Sequence, residues 1–192
     1  MEFKELTTNF LGRNVIYYKE IDSTQLEILR KINNLTNGTI IMADIQTNGK
    51  GTHGRVWHTS EKNNIAFSFV IYPNCNVRKL EGITKEIAET LVLAIKNIYN
   101  IELNIKHPND IVYNNRKIGG ILTQDKLNGE IVKYIVIGIG INTVQTEFPK
   151  EIENIATSIK KEFNIEVDRI KIITEFCNLF EQKLLERSHI WK

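Results

Sequence analysis

Two cysteines, Cys75 and Cys177, are all that the chain contains; they lie far apart, and neither has a histidine or second cysteine at metal-ligand spacing. That scarcity excludes a disulfide framework and a structural zinc site, and leaves the thiols as buried, idle groups. Prolines are equally few, with only three, while 42% hydrophobic and 25% charged residues exclude a disordered or fibrous chain. No apolar run approaches the ~20 residues of a membrane span. Nor does the N-terminus read as a signal peptide, because Glu2, Lys4 and Glu5 interrupt it. A formal net charge of +2, spread along the chain, is not the footprint of a nucleic-acid binder, so no DNA partner is expected. The expected address is a reducing cytoplasm, away from any membrane.

What is present suits one packed domain. Its 192 residues are divided by no repeat, low-complexity tract or Gly/Ser/Pro linker, so a single domain over 1–192 is expected. Helical spacing of Phe3, Leu6, Phe10 and Leu11, stopped by Gly12, predicts a helix over 2–11, and Val15 to Tyr18 reads as a strand. A second helix opens after Asp22, where Thr24 and Glu27 are spaced as a capping box and Leu26, Leu29 and Ile32 share a face. On that local pattern Ser23 and Thr24 read first as exposed capping hydroxyls. Strands follow over 39–43 and 65–71. The longest helical stripe, from Leu80 to Tyr99 through Ile83, Ile87, Leu91, Ala94, Ile95 and Ile98, reads as core packed on a sheet. Asn128-Gly129 marks a hairpin that makes the strand from Lys117 and the apolar run over 134–142 antiparallel neighbours. Beyond Pro149, Ile152, Ile155 and Ile159 predict a weak helical segment. Ile170, Ile173, Phe176, Leu179, Phe180 and Leu184 predict a clear one. The fold class expected is α+β, a mixed, largely antiparallel sheet flanked by helices.

The stretch richest in chemistry runs from Gln46 to Trp57. Gly49, Gly51 and Gly54 let the backbone take φ > 0 and approach a ligand closely. Lys50 and Arg55 add the positive charge that a phosphate or carboxylate needs. The same pattern also suits an ordinary surface loop. Gly138 and Gly140 alternate, so both clear space on one strand face, either for a ligand or for a closely packed helix. Lys106 taken alone reads as a solvated lysine at a strand end.

In chain order, five stretches resemble the catalytic domain of the biotin protein ligases: Asp22-Ser23-Thr24-Gln25, the loop from Gln46 to Arg55, Lys106-His107-Pro108-Asn109-Asp110, Lys117-Ile118-Gly119-Gly120-Ile121-Leu122, and Gly138-Ile139-Gly140-Ile141-Asn142. The resemblance implies a biotin/lipoate ligase-like, class II synthetase-like fold and a two-step reaction. Biotin's carboxylate attacks the α-phosphate of ATP, giving biotinyl-5′-AMP and pyrophosphate. A lysine amine of the acceptor, a biotin carboxyl carrier protein of a carboxylase, then attacks the mixed anhydride. ATP and biotin are substrates, Mg²⁺ accompanies the ATP, and no resident metal site is implied. Chemistry of this kind rests on positioning and charge neutralisation, since the substrate supplies the nucleophile.

Position by position, the resemblance places Ser23, Thr24, Gln25 and Gln46 on biotin's polar ureido head. Gly138 and Gly140 leave room for the ring and tail. Gly49, Lys50, Gly51, Thr52 and Arg55 close over the adenylate phosphate, with Lys50 and Arg55 as cations. Lys106 bridges the biotin carboxylate and the α-phosphate and is the leading catalytic charge. Asn109, Lys117 and Asn142 contact the nucleotide, and Asp110 orients the incoming amine or Mg²⁺. Four positions depart from the family pattern: Lys50 and Thr52 stand for arginines, His107 for tryptophan and Gln25 for asparagine. Loss of the arginine forks implies looser retention of the adenylate. The residues before Asp22 are too few for an N-terminal winged-helix DNA-binding domain, which argues against a repressor, and the small C-terminal β domain of relatives is expected to be absent. A monomer or homodimer is expected. The alternatives are a lipoate- or octanoate-type protein ligase, whose arginine- and glycine-rich motif is not found here, and a non-catalytic biotin or adenylate sensor.

Overall fold

Apolar residues at every second position or more give the long strands at least one buried face, and Ile65–Ile71, apolar almost throughout, is buried on both. The computed structural model describes residues 3–59, 62 and 64–187. In chain order it contains β1 (Val15–Ile21), α1 (Thr24–Lys31), β2 (Ile40–Lys50), β3 (Val56–Thr59), β4 (Ile65–Ile71), β5 (Cys75–Asn76) and α2 (Ile83–Tyr99). There follow β6 (Asn104–Lys106), β7 (Asp110–Tyr113), β8 (Arg116–Asn128), β9 (Ile131–Ile141), α3 (Ile159–Phe163) and α4 (Arg169–Glu186). Among the described residues these strands form one sheet in the order β1-β2-β4-β9-β8-β7-β6, with β3 beside β2 and β5 beside β9. β1 and β2 run parallel and the remaining pairs antiparallel, as the mixed, largely antiparallel expectation required.

The two faces of the sheet are used differently. Phe67 and Phe69 of β4, Ile137 and Ile139 of β9 and Ile121 of β8 point to the face covered by α2 and α4. There Phe176 and Phe180 of α4 stack at 5.4 Å and meet Phe69 edge-on or tilted at 5.9–6.0 Å. On the opposite face α1 seals a smaller cluster of Ile28, Ile41, Val70 and Val136. Past α1, that face carries Gly120, Gly138 and Gly140 in neighbouring strands, and the sheet surface there is open to side chains from elsewhere.

Several local expectations are corrected. Residues 3–14 form turns and not the helix expected over 2–11, of which Glu2 lies outside the described residues. The apolar spacing is used, since Phe3 and Leu11 enter the core, but the hydrogen bonds go elsewhere. Buried Glu181 of α4 accepts from the backbone N–H groups of Asn9, Phe10 and Leu11, replacing the carbonyls a helix would supply. The cap of α1 is Ser23, whose Oγ accepts from Leu26 N, so the capping box read at Thr24 and Glu27 is not made. Both hydroxyls are buried, not exposed. The glycine loop is mostly a hairpin, because β2 runs on to Lys50 and pairs with β3. Of its three glycines only Gly54 takes a positive φ, at 75°. Gly49 is required for a different reason: a Cβ there would overlap the Trp57 carbonyl of the facing strand. The helix expected over 80–99 begins at Ile83 and ends as read, at Asn100 in the left-handed region. Between Pro149 and Ile159 the chain makes turns, and Ile155 is exposed. Both cysteines are free and buried, as expected.

Candidate active site

Strand register assembles the site. Lys106 of β6 lies opposite Asp110 of β7, Asp110 opposite Gly120 of β8, and Gly120 opposite Gly140 of β9. Directly opposed residues share a face, so these four form one row across the sheet. Lys117 belongs to the same row for a less regular reason. Three residues apart on a regular strand, Lys117 and Gly120 would point to opposite faces. A register shift between β7 and β8 adds one residue, and the Lys117 side chain folds back over Gly120, where an added Cβ would sit 3.1 Å from its Nζ. From there Lys117 Nζ reaches Asp110 Oδ1 at 2.6 Å and lies 5.6 Å from the centre of the Trp57 ring. Trp57 itself, delivered by β3, covers Gly140, which could not carry a side chain beneath it.

A polar floor lies beside this row, at the N-terminus of α1. Thr24 donates from both N and Oγ1 to Gln46 Oε1, at 2.9 and 3.1 Å, and its Oγ1 is 2.8 Å from Ser68 Oγ. Gln46 Nε2 in turn donates to Thr59 Oγ1 at 3.2 Å. Gln25, 3% exposed, crosses above Gly138 and donates from Nε2 to Gln124 Oε1 at 3.0 Å and the Val136 carbonyl at 3.3 Å. Among the described residues its Oε1 has no hydrogen-bond donor. A cavity of about 40 Å³ opens over this floor, walled by Lys50, Gly51, Thr52, Trp57, Asn109 and Lys117. A larger cavity of about 140 Å³ adjoins it on the far side of Trp57, lined by Arg55, Val56, Asn142, Phe148, Ile152 and Ile155 among others. Gly51, Thr52, Trp57 and Lys117 line both.

Most of the residues singled out in the sequence converge. Ser23, Thr24, Gln25, Gln46, Lys50, Gly51, Thr52, Asn109, Lys117, Gly138 and Gly140 line the smaller cavity, and Arg55 and Asn142 the larger. Lys50 and Arg55 are exposed; Arg55 folds back on Thr52, donating to its carbonyl at 3.2 Å and its Oγ1 at 2.8 Å. Gly49, Lys106 and Asp110 line neither cavity. Lys106 is exposed at the end of the cross-strand row, and Asp110 is engaged by Lys117. The space above Gly138 and Gly140 is filled by Gln25 and Trp57. Sequence reasoning gave no role to Trp57, Ser68, Gln124 or the Phe148–Ile155 turns. Ser68 carried a usable signal, being a lone hydroxyl in the apolar strand Ile65–Ile71; the others had none without the register.

Comparison with known proteins agrees with this arrangement. The model of the biotin/lipoate A/B protein ligase family matches residues 17–142, from β1 through the end of β9. The chain belongs to that family. Within the family, the bifunctional ligase/repressor BirA of Bacillus subtilis is 35% identical over 93% of this chain and 56% of its own length. The biotin–protein ligase of Homo sapiens is 29% identical over 95% of this chain and 27% of its own. Among solved family structures, the biotin protein ligase from Aquifex aeolicus in complex with biotin and ATP superposes with a TM-score of 0.75 at 30% identity, covering 92% of this chain and 72% of that one. The chain spans little more than half the length of the Bacillus relative.

Proposed function

We propose that the protein is an ATP-dependent biotin protein ligase, forming biotinyl-5′-AMP with release of pyrophosphate and transferring biotin to a lysine of a carrier protein. The observation that carries this reading is the meeting of the two cavities at Lys117, Trp57, Gly51 and Thr52. A polar-floored pocket suits a ring with hydrogen-bonding edges, and a largely apolar one suits a nucleotide base. Their junction, beside lysines and backbone amides, is where a carboxylate and an α-phosphate would be brought together. There the carboxylate oxygen attacks phosphorus and pyrophosphate leaves. In the second step the acceptor amine attacks the acyl carbon and AMP leaves. Lys117 stands at the junction in this structure; Lys106 stands at the far end of the row, two strand spacings or ~10 Å from Gly120, and both are proposed as cations for the developing charge.

The smaller cavity as it stands holds a water or two and not a bicyclic ring. Binding therefore moves the Trp57 indole off Gly140, after which that face accepts the ligand. The unpaired Gln25 oxygen favours a head group bearing N–H donors, which the ureido ring of biotin has and the dithiolane of lipoate lacks. Mg²⁺ is proposed as part of the nucleotide substrate, held by its phosphates; among the described residues no cluster of His, Cys, Asp or Glu could hold such an ion. The acceptor is proposed to be a biotin carboxyl carrier protein, the working state a monomer or homodimer, and the site of action the cytoplasm.

ATP–pyrophosphate exchange tests the reading, with biotin and lipoate as separate substrates. Biotin-dependent exchange is expected, lost by about 100-fold or more in Lys106→Ala and Lys117→Ala if each stabilises developing charge. Exchange with lipoate alone would assign the other branch of the family. No exchange from a folded chain that binds biotin would leave a sensor.

A further inference from the structure

We propose that Gln124 is a positioning residue for recognition of the ligand's N–H groups: it holds Gln25 so that the carbonyl oxygen, and not the amino group, lies over Gly138 in the wall of the cavity. The inference rests on the biotin reading above and deepens it. Gln25 sits in the first turn of α1 and Gln124 on β8, opposite Val136 of β9. The additional methylene of glutamine over asparagine carries the Gln25 amide across β9 to that strand.

The orientation of the Gln25 amide follows from its neighbours. The Val136 carbonyl can only accept, so the group beside it must be the Gln25 nitrogen. Gln124 Oε1, at 3.0 Å, takes the second hydrogen of the same nitrogen. Both donors are consumed, and Oε1 is left as the one group able to meet a ligand. It points over Gly138, 2.6 Å from where a Cβ would stand, in a side chain that is otherwise buried. A buried carbonyl oxygen without a partner is costly until a donor arrives. A ligand N–H is such a donor, whereas a ligand acceptor would be repelled. Gln124 is exposed on β8, so its replacement leaves the core intact.

The test compares the native chain with Gln124→Leu, which removes the acceptor, and Gln124→Glu, which keeps one. Steady-state exchange and calorimetric binding of biotin are the readouts. For Gln124→Leu, KM and Kd for biotin are expected to rise roughly three- to tenfold, the worth of one hydrogen bond, with kcat and KM for ATP unchanged. Gln124→Glu is expected to restore the native values. A second comparison uses biotin methylated on either ureido nitrogen. Methylating the nitrogen that faces Gln25 should cost the native chain affinity and cost Gln124→Leu less, because the two groups are coupled. A purely structural role would lower all affinities together. The inference is overturned if the methylation penalties are equal in both proteins, or if Gln124→Leu binds biotin as the native chain does. A native chain that exchanges with biotin while these variants show no effect discards Gln124 alone; one that neither exchanges nor binds biotin discards both readings.

Discussion

Gly140 and Trp57 define the site at the scale of single residues. A methyl group on residue 140 would overlap the indole at Cε2, and one on residue 138 would press on Gln25 Oε1 at 2.6 Å. Neither would enter the phenylalanine-rich core, which lies on the other face of the sheet. Gly140→Ala is therefore expected to fold, at a cost of ~1–3 kcal/mol for overpacking, while its biotin-dependent exchange falls at least tenfold, since the wall of the pocket is displaced. Urea denaturation together with exchange kinetics separates the two effects. Equal loss of stability and activity, with a collapsed unfolding transition, would show that Gly140 serves the fold instead.

At the scale of elements, the turns between β9 and α3 shape the larger cavity, and one buried side chain holds them. Asn64, just before β4, accepts at Oδ1 from Thr143 N at 2.8 Å and Val144 N at 3.1 Å, and donates from Nδ2 to Gln145 Oε1 at 3.1 Å. Asn142 and Gln145 line that cavity. Farther along, Lys117 N and O bond to Ile155 and Thr157, docking the same segment on β8. Asn64→Ala removes the hydrogen bonds that this side chain makes to the 143–145 segment, so ~1–3 kcal/mol of stability is expected to be lost. KM for ATP is expected to rise more than KM for biotin, whose floor lies beyond Trp57. Equal rises in the two constants would contradict the assignment of the larger cavity to the nucleotide. The N-terminal turns make the same point about elements: Phe3 to Leu11 had helical spacing, yet Glu181 from α4 claimed their amides.

For the whole molecule, the first strands are tied to the last helix by a buried Asp44–Arg169 ion pair that the exposed Tyr17 joins through its hydroxyl. Asp44 of β2 accepts from Arg169 Nη2 and from the Tyr17 hydroxyl, each at 2.5 Å. Burial, the largest single influence on Asp44, pushes its carboxyl up; the hydrogen bonds from Tyr17 and Arg169 and the latter's charge outweigh it and hold the group below its ordinary value. A carboxyl with a lowered folded pKa contributes stability that is complete above the unfolded value near 3.9 and is lost as pH falls through the folded one. Asp44→Asn is thus expected to cost ~3–5 kcal/mol at pH 7, leaving Arg169 without its anion. Its stability should also fall less steeply than that of the native chain below about pH 4. Urea midpoints at pH 7, 4 and 3 check this, and parallel acid limbs for the two proteins would refute it.

Periodicity and turn chemistry in the sequence determined what is local: the stripes of α2 and α4, the Asn128-Gly129 hairpin, the strand Ile65–Ile71 and the largely antiparallel class. They do so because each rests on residues a few positions apart. The resemblance carried by the Asp22, Gln46, Lys106 and Lys117 stretches also named most of the cavity walls. Tertiary structure alone decided which atoms face which. A bulge between β7 and β8 put Lys117 over Gly120, register aligned Lys106 with Gly140, and β3 laid Trp57 on the glycines. Faces and partners of this kind depend on pairing between segments far apart in the chain, where a slip of one residue turns every side chain to the other side of the sheet.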